Sequence, residues 1–432
     1  MKEMICCPRI IIIIYILLIL LAVSATSFSD RGFHLETRQI RSEHRGIVNP
    51  LILKFVNNYN GSDLYAYITG TDGQGNLVLL TTTGMWYYPD TLNGTAVTKI
   101  DSTTIAIPIP GKVNGMQSTQ ITIPGYISAG RVWVSEGELE FFAVASAHGT
   151  ITLKEPSAFD PDDASAQVDW GFLELTYTEE SGLYANLSFV DFVGLVLSMV
   201  LTLDNGEVQV VKGVVDNAVM EVCAALQTQT NLDSMPWDQM CVYSEKGIPL
   251  RVLAPNLFES INPGSMESYY TDYVDHVWRL YATEDLTFNP GTNQSIKCRV
   301  GDDDELSCDG DNRSYCRPQT ADIWSCSTGP FAIRESDNDV HRAVVPRLCA
   351  AFTRTTLLLD GGDTQPSLKN TSYYLRTPTN HYSRIVHENE VDGKGYAFSY
   401  DDVSSVQENV AGVVAGANPR SLEIMIGGYR SG

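Results

Sequence analysis

Apolar residues in the first half of the chain fall in short runs divided by turn clusters. Leu51-Ile52-Leu53-Lys54-Phe55-Val56 runs into Asn57-Asn58-Tyr59-Asn60-Gly61, and Leu64-Tyr65-Ala66-Tyr67-Ile68 into Thr71-Asp72-Gly73-Gln74-Gly75. The rhythm continues through Arg131-Val132-Trp133-Val134-Ser135. β-branched and aromatic runs bounded by Gly, Asn and Asp predict the strands of a β-sandwich or barrel.

From residue 201 the period changes. Val219, Val222, Cys223 and Leu226 fall at helical spacing behind Asp216, a candidate N-cap. Tyr270, Val274, Val277, Trp278 and Tyr281 do the same after Ser265. A third helix is predicted through Val345, Leu348, Cys349 and Phe352, with Pro346 near its first turn, where a missing N–H is tolerated. Strands return at Tyr396-Ala397-Phe398 and Leu422-Glu423-Ile424-Met425-Ile426. The fold class is therefore mainly β. A β-sandwich or barrel lobe over 47–200 and 376–432 is interrupted by a smaller, disulfide-tied mixed α/β lobe over 201–375, with a groove between them.

The N-terminus reads as a secretory signal over residues 1–25. Lys2 and Arg9 precede an apolar Ile10–Val23 run, and Val23-Ser24-Ala25 supplies small residues for cleavage. The run is short for a membrane span, and no second one follows. Residues 26–46 hold four arginines and no apolar period, and read equally as a pro-segment or a loose terminus.

The product is expected outside the cell, in the vicinity of a cell wall, as a monomer, with no membrane association once the signal is removed. Six N-x-S/T sequons, at Asn60, Asn93, Asn186, Asn293, Asn312 and Asn370, fit a secreted eukaryotic glycoprotein. A formal charge of −23 excludes nucleic acid and anionic lipid as partners, but not a neutral polysaccharide.

Seven cysteines follow the signal, enough for three disulfides with one thiol left over. Their spacing lacks the paired short units of a zinc site, so neither a metal nor a cofactor is expected. The acids of Gly301-Asp302-Asp303-Asp304-Glu305 and Asp309-Gly310-Asp311-Asn312 lack EF-hand spacing and read as solvated loops.

Chemistry concentrates in Trp170-Gly171-Phe172-Leu173-Glu174-Leu175-Thr176-Tyr177 and Leu183-Tyr184-Ala185-Asn186-Leu187-Ser188-Phe189-Val190-Asp191-Phe192-Val193-Gly194. The pattern predicts a hairpin with a two-residue turn at Ser181-Gly182. Glu174 then faces Phe189, and Phe172 faces Asp191. Glu174 and Asp191 share a face as diagonal neighbours, about 7–8 Å apart at Cα. Two carboxylates so held suit glycosidic cleavage, and inverting enzymes space theirs about 6.5–9.5 Å apart. Apolar neighbours favour Glu174 as the general acid and leave Asp191 as the base. Competing acids, Glu136, Glu138, Glu140, Asp169 and Asp401-Asp402, read mostly as solvent-facing strand positions.

These segments closely resemble the core motif of glycoside hydrolase family 64. Further similarity lies at Phe55-Val56-Asn57-Asn58, Arg131-Val132-Trp133-Val134-Ser135-Glu136-Gly137, Arg251-Val252-Leu253-Ala254-Pro255, Arg347-Leu348-Cys349-Ala350-Ala351-Phe352 and Tyr382-Ser383-Arg384-Ile385-Val386-His387. Gly393-Lys394-Gly395-Tyr396-Ala397-Phe398-Ser399-Tyr400-Asp401-Asp402-Val403 completes it, over about residues 47–430.

The resemblance implies a thaumatin-like fold and a secreted, inverting endo-β-1,3-glucanase that acts on β-1,3-glucan and releases laminari-oligosaccharides. It implies Glu174 as general acid and Asp191 as general base. Thr176, Thr178, Tyr184 and Trp170 become the substrate-binding positions. Thr178 stands where relatives often have Asn, and Tyr184 where some have Trp. The alternative is a catalytically silent, thaumatin-like glucan-binding or antifungal protein, which the presence of both acids disfavours.

Overall fold

The computed structural model describes residues 50–58, 64–91, 96–111, 118–146, 150–291, 295–405 and 412–429. The expected signal, the segment 26–46 and the sequons at Asn60, Asn93 and Asn293 lie outside the described residues.

Strand dominates, in several sheets. One five-stranded sheet runs in the order Val208–Val211, Leu197–Leu203, Pro419–Ile426, Ile52–Asn57, Ser118–Thr122. Its alternation is simple. Leu53 and Phe55 are fully buried on one face, while Lys54 pairs with Glu423 on the other. Ile52–Asn57 lies parallel to Pro419–Ile426, so strands from opposite ends of the chain share a ladder.

A larger sheet runs Val413–Gly416, Gly182–Leu187, Asp169–Thr178, Ile127–Glu136, Leu64–Asp72, Leu77–Leu80, Trp86–Tyr87. Along Asp169–Thr178 the two faces differ. Leu173, Leu175 and Tyr177 point into the core and are at most 2% exposed. Trp170, Phe172, Glu174, Thr176 and Thr178 take the other face, the first two buried and the last three half-buried. Tyr396-Ala397-Phe398, expected as a strand, contributes only an isolated bridge from Tyr396 to Ser188.

After Ser188 the chain leaves the hairpin and crosses the aromatic end of that strand. The Leu195 N–H donates to the Trp170 carbonyl at 3.1 Å. A Cβ on Gly171 would lie 2.5 Å from the Leu195 carbonyl oxygen, and one on Gly194 would lie 2.3 Å from that of Trp170. Glycine is required at both because the two backbones touch. Phe192–Val193 then pairs with Pro249–Leu253, and that strand with Cys241–Tyr243. The Cys223–Cys241 disulfide ties this small sheet to the helix Ala218–Asp233.

All three expected helices form. Ala218–Asp233 starts behind Asn217, one residue later than Asp216 predicts. Thr271–Tyr281 buries Tyr273, Val274, Val277, Trp278 and Tyr281. Asp339–Thr353 is capped by Asn338, whose side chain accepts from the His341 N–H. That earlier start puts Pro346 inside the helix rather than in its first turn. The helix survives the missing donor because Val344, Val345, Leu348, Cys349 and Phe352 are buried around it. Two further disulfides, Cys298–Cys308 and Cys326–Cys349, join adjacent strands and neighbouring helices. Cys316 is the cysteine outside a disulfide among the described residues. No helix among the described residues is long and apolar enough to cross a membrane.

The crossing makes a direct prediction. Gly171→Ala should lower unfolding free energy by about 1–3 kcal/mol, as forced overpacking does. Gly73→Ala, with nothing within 4 Å of its Cβ position, should leave it unchanged. Urea denaturation of both variants checks the contrast.

Candidate active site

The hairpin register differs by three residues from the one the sequence predicts. Glu174 lies opposite Asn186, Thr176 opposite Tyr184 and Thr178 opposite Gly182. The loop is Glu179-Glu180-Ser181, and Gly182 already belongs to the returning strand. Gly182 has φ +71°, and a Cβ there would lie 2.2 Å from the Gly416 carbonyl oxygen. Its glycine serves the close approach of a third strand, not a two-residue turn.

The shift is odd, so it changes which residues share a face. Glu174, Thr176, Tyr184 and Asn186 stand together on one face of the sheet. Asp191 is no longer on the hairpin; it sits in the bend that leads into the backbone crossing. Its carbonyl accepts the Ala254 N–H at 2.8 Å. The next side chain, Phe192, packs between Trp170 at 4.7 Å and Phe172 at 5.8 Å, centroid to centroid.

Arg131 lies directly opposite Glu174 on the neighbouring strand, and its charge acts on Asp191. Its guanidinium lies 4.8 Å from the Phe172 ring centroid and 5.5 Å from that of Trp133. One nitrogen binds Glu155 at 2.7 Å and another reaches Glu174 at 3.5 Å. Burial works against the Arg131 cation, yet Glu155, Glu174 and Asp191 together hold it above its usual range. Burial pushes the Asp191 carboxyl up, and Arg131 opposes the rise. Glu155 is raised by the same cause and opposed by the same cation. Glu155 and Glu174 therefore pair with the guanidinium directly, and Asp191 acts on it through its charge.

The reason sequence gives for Glu174 as the acid does not hold in the fold. Leu173 and Leu175 point to the opposite face, and the Glu174 side chain is 36% exposed. Burial raises the Asp191 and Glu155 carboxyls. Neither Arg131 as a link nor Glu155 follows from the sequence. A lone arginine alternating with Trp133 is a weak signal, and nothing near Glu155 in the chain points to Arg131.

The other expected positions divide. Thr176 is half-buried beside Tyr184, which is 42% exposed and presents an aromatic surface. The Thr178 hydroxyl accepts the Ser181 N–H at 3.1 Å, so it also closes the hairpin loop. Trp170 is corrected. It is 2% exposed, under Phe192 and 5.3 Å from the Arg251 guanidinium, and so supports the site from below without reaching a ligand on the surface. Tyr396 is an addition, its hydroxyl 3.4 Å from that of Tyr184.

A buried ion network holds the Tyr396 segment. His387 contacts Glu390 at 3.1 Å and Asp401 at 3.0 Å. Asp401 also pairs with Arg354 at 2.9 Å and accepts the Ala397 N–H at 2.8 Å. Burial alone would push the His387 imidazole down, but Asp401 and Glu390 raise it to about 10.

The competing acids lie elsewhere. A depression of about 430 Å³ at the far end of these strands is lined by Tyr65, Glu136, Glu138, Gln167 and Asp169 and contains neither Glu174 nor Asp191. Asp401 belongs to the ion network. In the acidic loops, Asp304 pairs with Arg317, and Asp311 with His341. Asn312 is tied on both sides, donating to the Ser336 carbonyl and accepting the Asn338 N–H.

The sequence model of glycoside hydrolase family 64, described as β-1,3-glucanase, matches residues 49–426. A glucan endo-1,3-β-glucosidase of Arthrobacter sp. (strain YCWD3) is 24% identical over 317 residues, 72% of this chain and 54% of the relative. One from Cellulosimicrobium cellulans matches with the same identity and shares. The chain thus spans about half the length of these curated relatives. Among solved structures, a laminaripentaose-producing β-1,3-glucanase in complex with laminaritetraose aligns with TM-score 0.74 at 24% identity, covering 88% of this chain and 99% of that one. A β-1,3-glucanase domain from Clostridium beijerinckii aligns with TM-score 0.67 at 18% identity, over 88% and 99%. At those identities the structures establish a shared fold.

The ion network predicts a pH dependence of stability. A histidine raised from 6.5 to about 10 stabilises the fold fully below pH 6.5, and that contribution is lost as pH climbs towards 10. Unfolding free energy measured against pH should fall across this window in the wild type, and His387→Gln should remove the histidine's share of the slope.

Proposed function

The chain belongs to glycoside hydrolase family 64, the β-1,3-glucanases, and on that premise we propose that it is a secreted, inverting endo-β-1,3-glucanase releasing laminari-oligosaccharides. The observation that carries this reading is the pairing of Glu174 with Arg131, whose charge also acts on Asp191, on a sheet face where the Glu174 side chain is 36% exposed and Tyr184 42% exposed. An internal bond of a polymer needs an open face. In this mechanism Glu174 protonates the leaving oxygen, and Asp191 takes a proton from the water that attacks the anomeric carbon from the opposite side. A glucan lying over the face excludes water from Glu174, which suits proton delivery to the departing oxygen.

Thr176 and Thr178 offer hydroxyls to the sugar, and Tyr184 a ring to stack against it. The crystal complex of the laminaripentaose-producing relative with laminaritetraose supports a glucan ligand and short oligosaccharide products. The reading includes the thaumatin-like description, with a β lobe and a disulfide-tied α/β lobe flanking a wide groove; the helices Ala218–Asp233, Thr271–Tyr281 and Asp339–Thr353 and the disulfides within 201–375 support it, while the helix His381–Glu388 lies beyond that lobe. A monomer working outside the cell, apart from nucleic acid and membrane, completes the reading. No cofactor takes part in it.

Two measurements test it. Glu174→Gln and Asp191→Asn should each lose on the order of 10²-fold or more in kcat on linear β-1,3-glucan. New reducing ends should first appear as the α-anomer by NMR, whereas initial β-anomer excludes inversion. Because burial raises Asp191 from 3.8, the acidic limb of the kcat/KM profile should lie above the ordinary aspartate value.

A further inference from the structure

The catalytic reading uses two carboxylates, but the site holds three. Glu155 follows the strand Ile151–Lys154 and is the acid closest to Arg131, at 2.7 Å against 3.5 Å for Glu174. The Arg131 side chain is only 14% exposed and lies over Phe172 and Trp133. A guanidinium so desolvated needs a fixed counter-charge, and Glu155 supplies one that leaves its second nitrogen for Glu174.

We propose that Arg131 and Glu155 form a positioning pair for the two acids: Glu155 clamps the guanidinium on the aromatic floor, and the guanidinium orients Glu174 and balances the charge of Asp191. This rests on the glucanase reading above. Three groups are coupled to the Asp191 carboxyl from the surrounding elements. Arg131 comes from the sheet, Glu155 from the segment after Ile151–Lys154 and Tyr382 from the helix His381–Glu388. Arg131 favours the charged form of Asp191, and Glu155, a like charge, opposes it. The two members of the pair therefore act with opposite sign.

The test is the pH dependence of kcat/KM on linear β-1,3-glucan for Arg131→Met, Arg131→Lys and Glu155→Gln, each with its melting temperature. Arg131→Met should move the acidic limb up by on the order of one pH unit and lower kcat more than it alters KM. Arg131→Lys keeps the charge but loses the two-pronged geometry, so it should restore the limb without restoring full kcat. Glu155→Gln should move the limb down.

Folded Arg131→Met and Glu155→Gln variants whose limbs stay put, or move together, overturn the proposal. If Arg131→Met fails to fold, the direction of the Glu155→Gln shift decides. A wild type inactive on glucan, or a fully active Asp191→Asn, defeats the glucanase reading. An active wild type with a dead Asp191→Asn and unmoved limbs defeats the positioning pair alone.

Discussion

The site depends on a backbone crossing. Gly194-Leu195 passes over Trp170-Gly171 so closely that neither glycine can carry a Cβ. The crossing turns the chain out of the hairpin at Ser188 and seats Phe192 between Trp170 and Phe172. Asp191 is fixed between that ring and the Ala254 N–H its carbonyl accepts. Without the contact, Asp191 would continue along the hairpin strand, and the observed register would send it away from Glu174. Packing, not ladder pairing, places Asp191 where the Arg131 charge acts on it.

Arg131 turns this packing into electrostatics. It sits on the aromatic floor the crossing creates, pairs with Glu155 and Glu174, and interacts with the charge of Asp191. Buried ion pairs are poor evidence of stability, because desolvation consumes most of their attraction. Their value here is geometric: one rigid, planar cation addresses several carboxylates at once. The aromatic residues divide along the same lines. Trp170, Trp133 and Phe172 form the floor, while Tyr184 and Tyr396 stand on the surface.

A second ion network, remote in sequence from the hairpin, supports the same face. His387, Asp401 and Arg354 hold Ala397, and so its neighbour Tyr396, against Ser188 and Tyr184. Neighbouring strands of one sheet, from residues 127–136, 169–178, 182–187 and 413–416, thus meet a segment held by a helix from residues 381–388. Neighbours so distant in the chain leave little local trace.

Local physics settled much of this from the sequence alone. The strand periods, the three helical periods and the cysteine count that allows three disulfides all rest on interactions within a few residues or on composition. Tertiary structure decided the rest. Gly182 reads as a turn glycine, but the space it leaves is taken by Gly416, 234 residues further along the chain, and the register follows from that contact. Trp170, expected among the substrate-binding positions, lies under Phe192. Glu155 is silent until Arg131 reaches it. In each case a residue's meaning depends on a partner brought in from elsewhere by packing, and a chain read in order carries no distance between such partners.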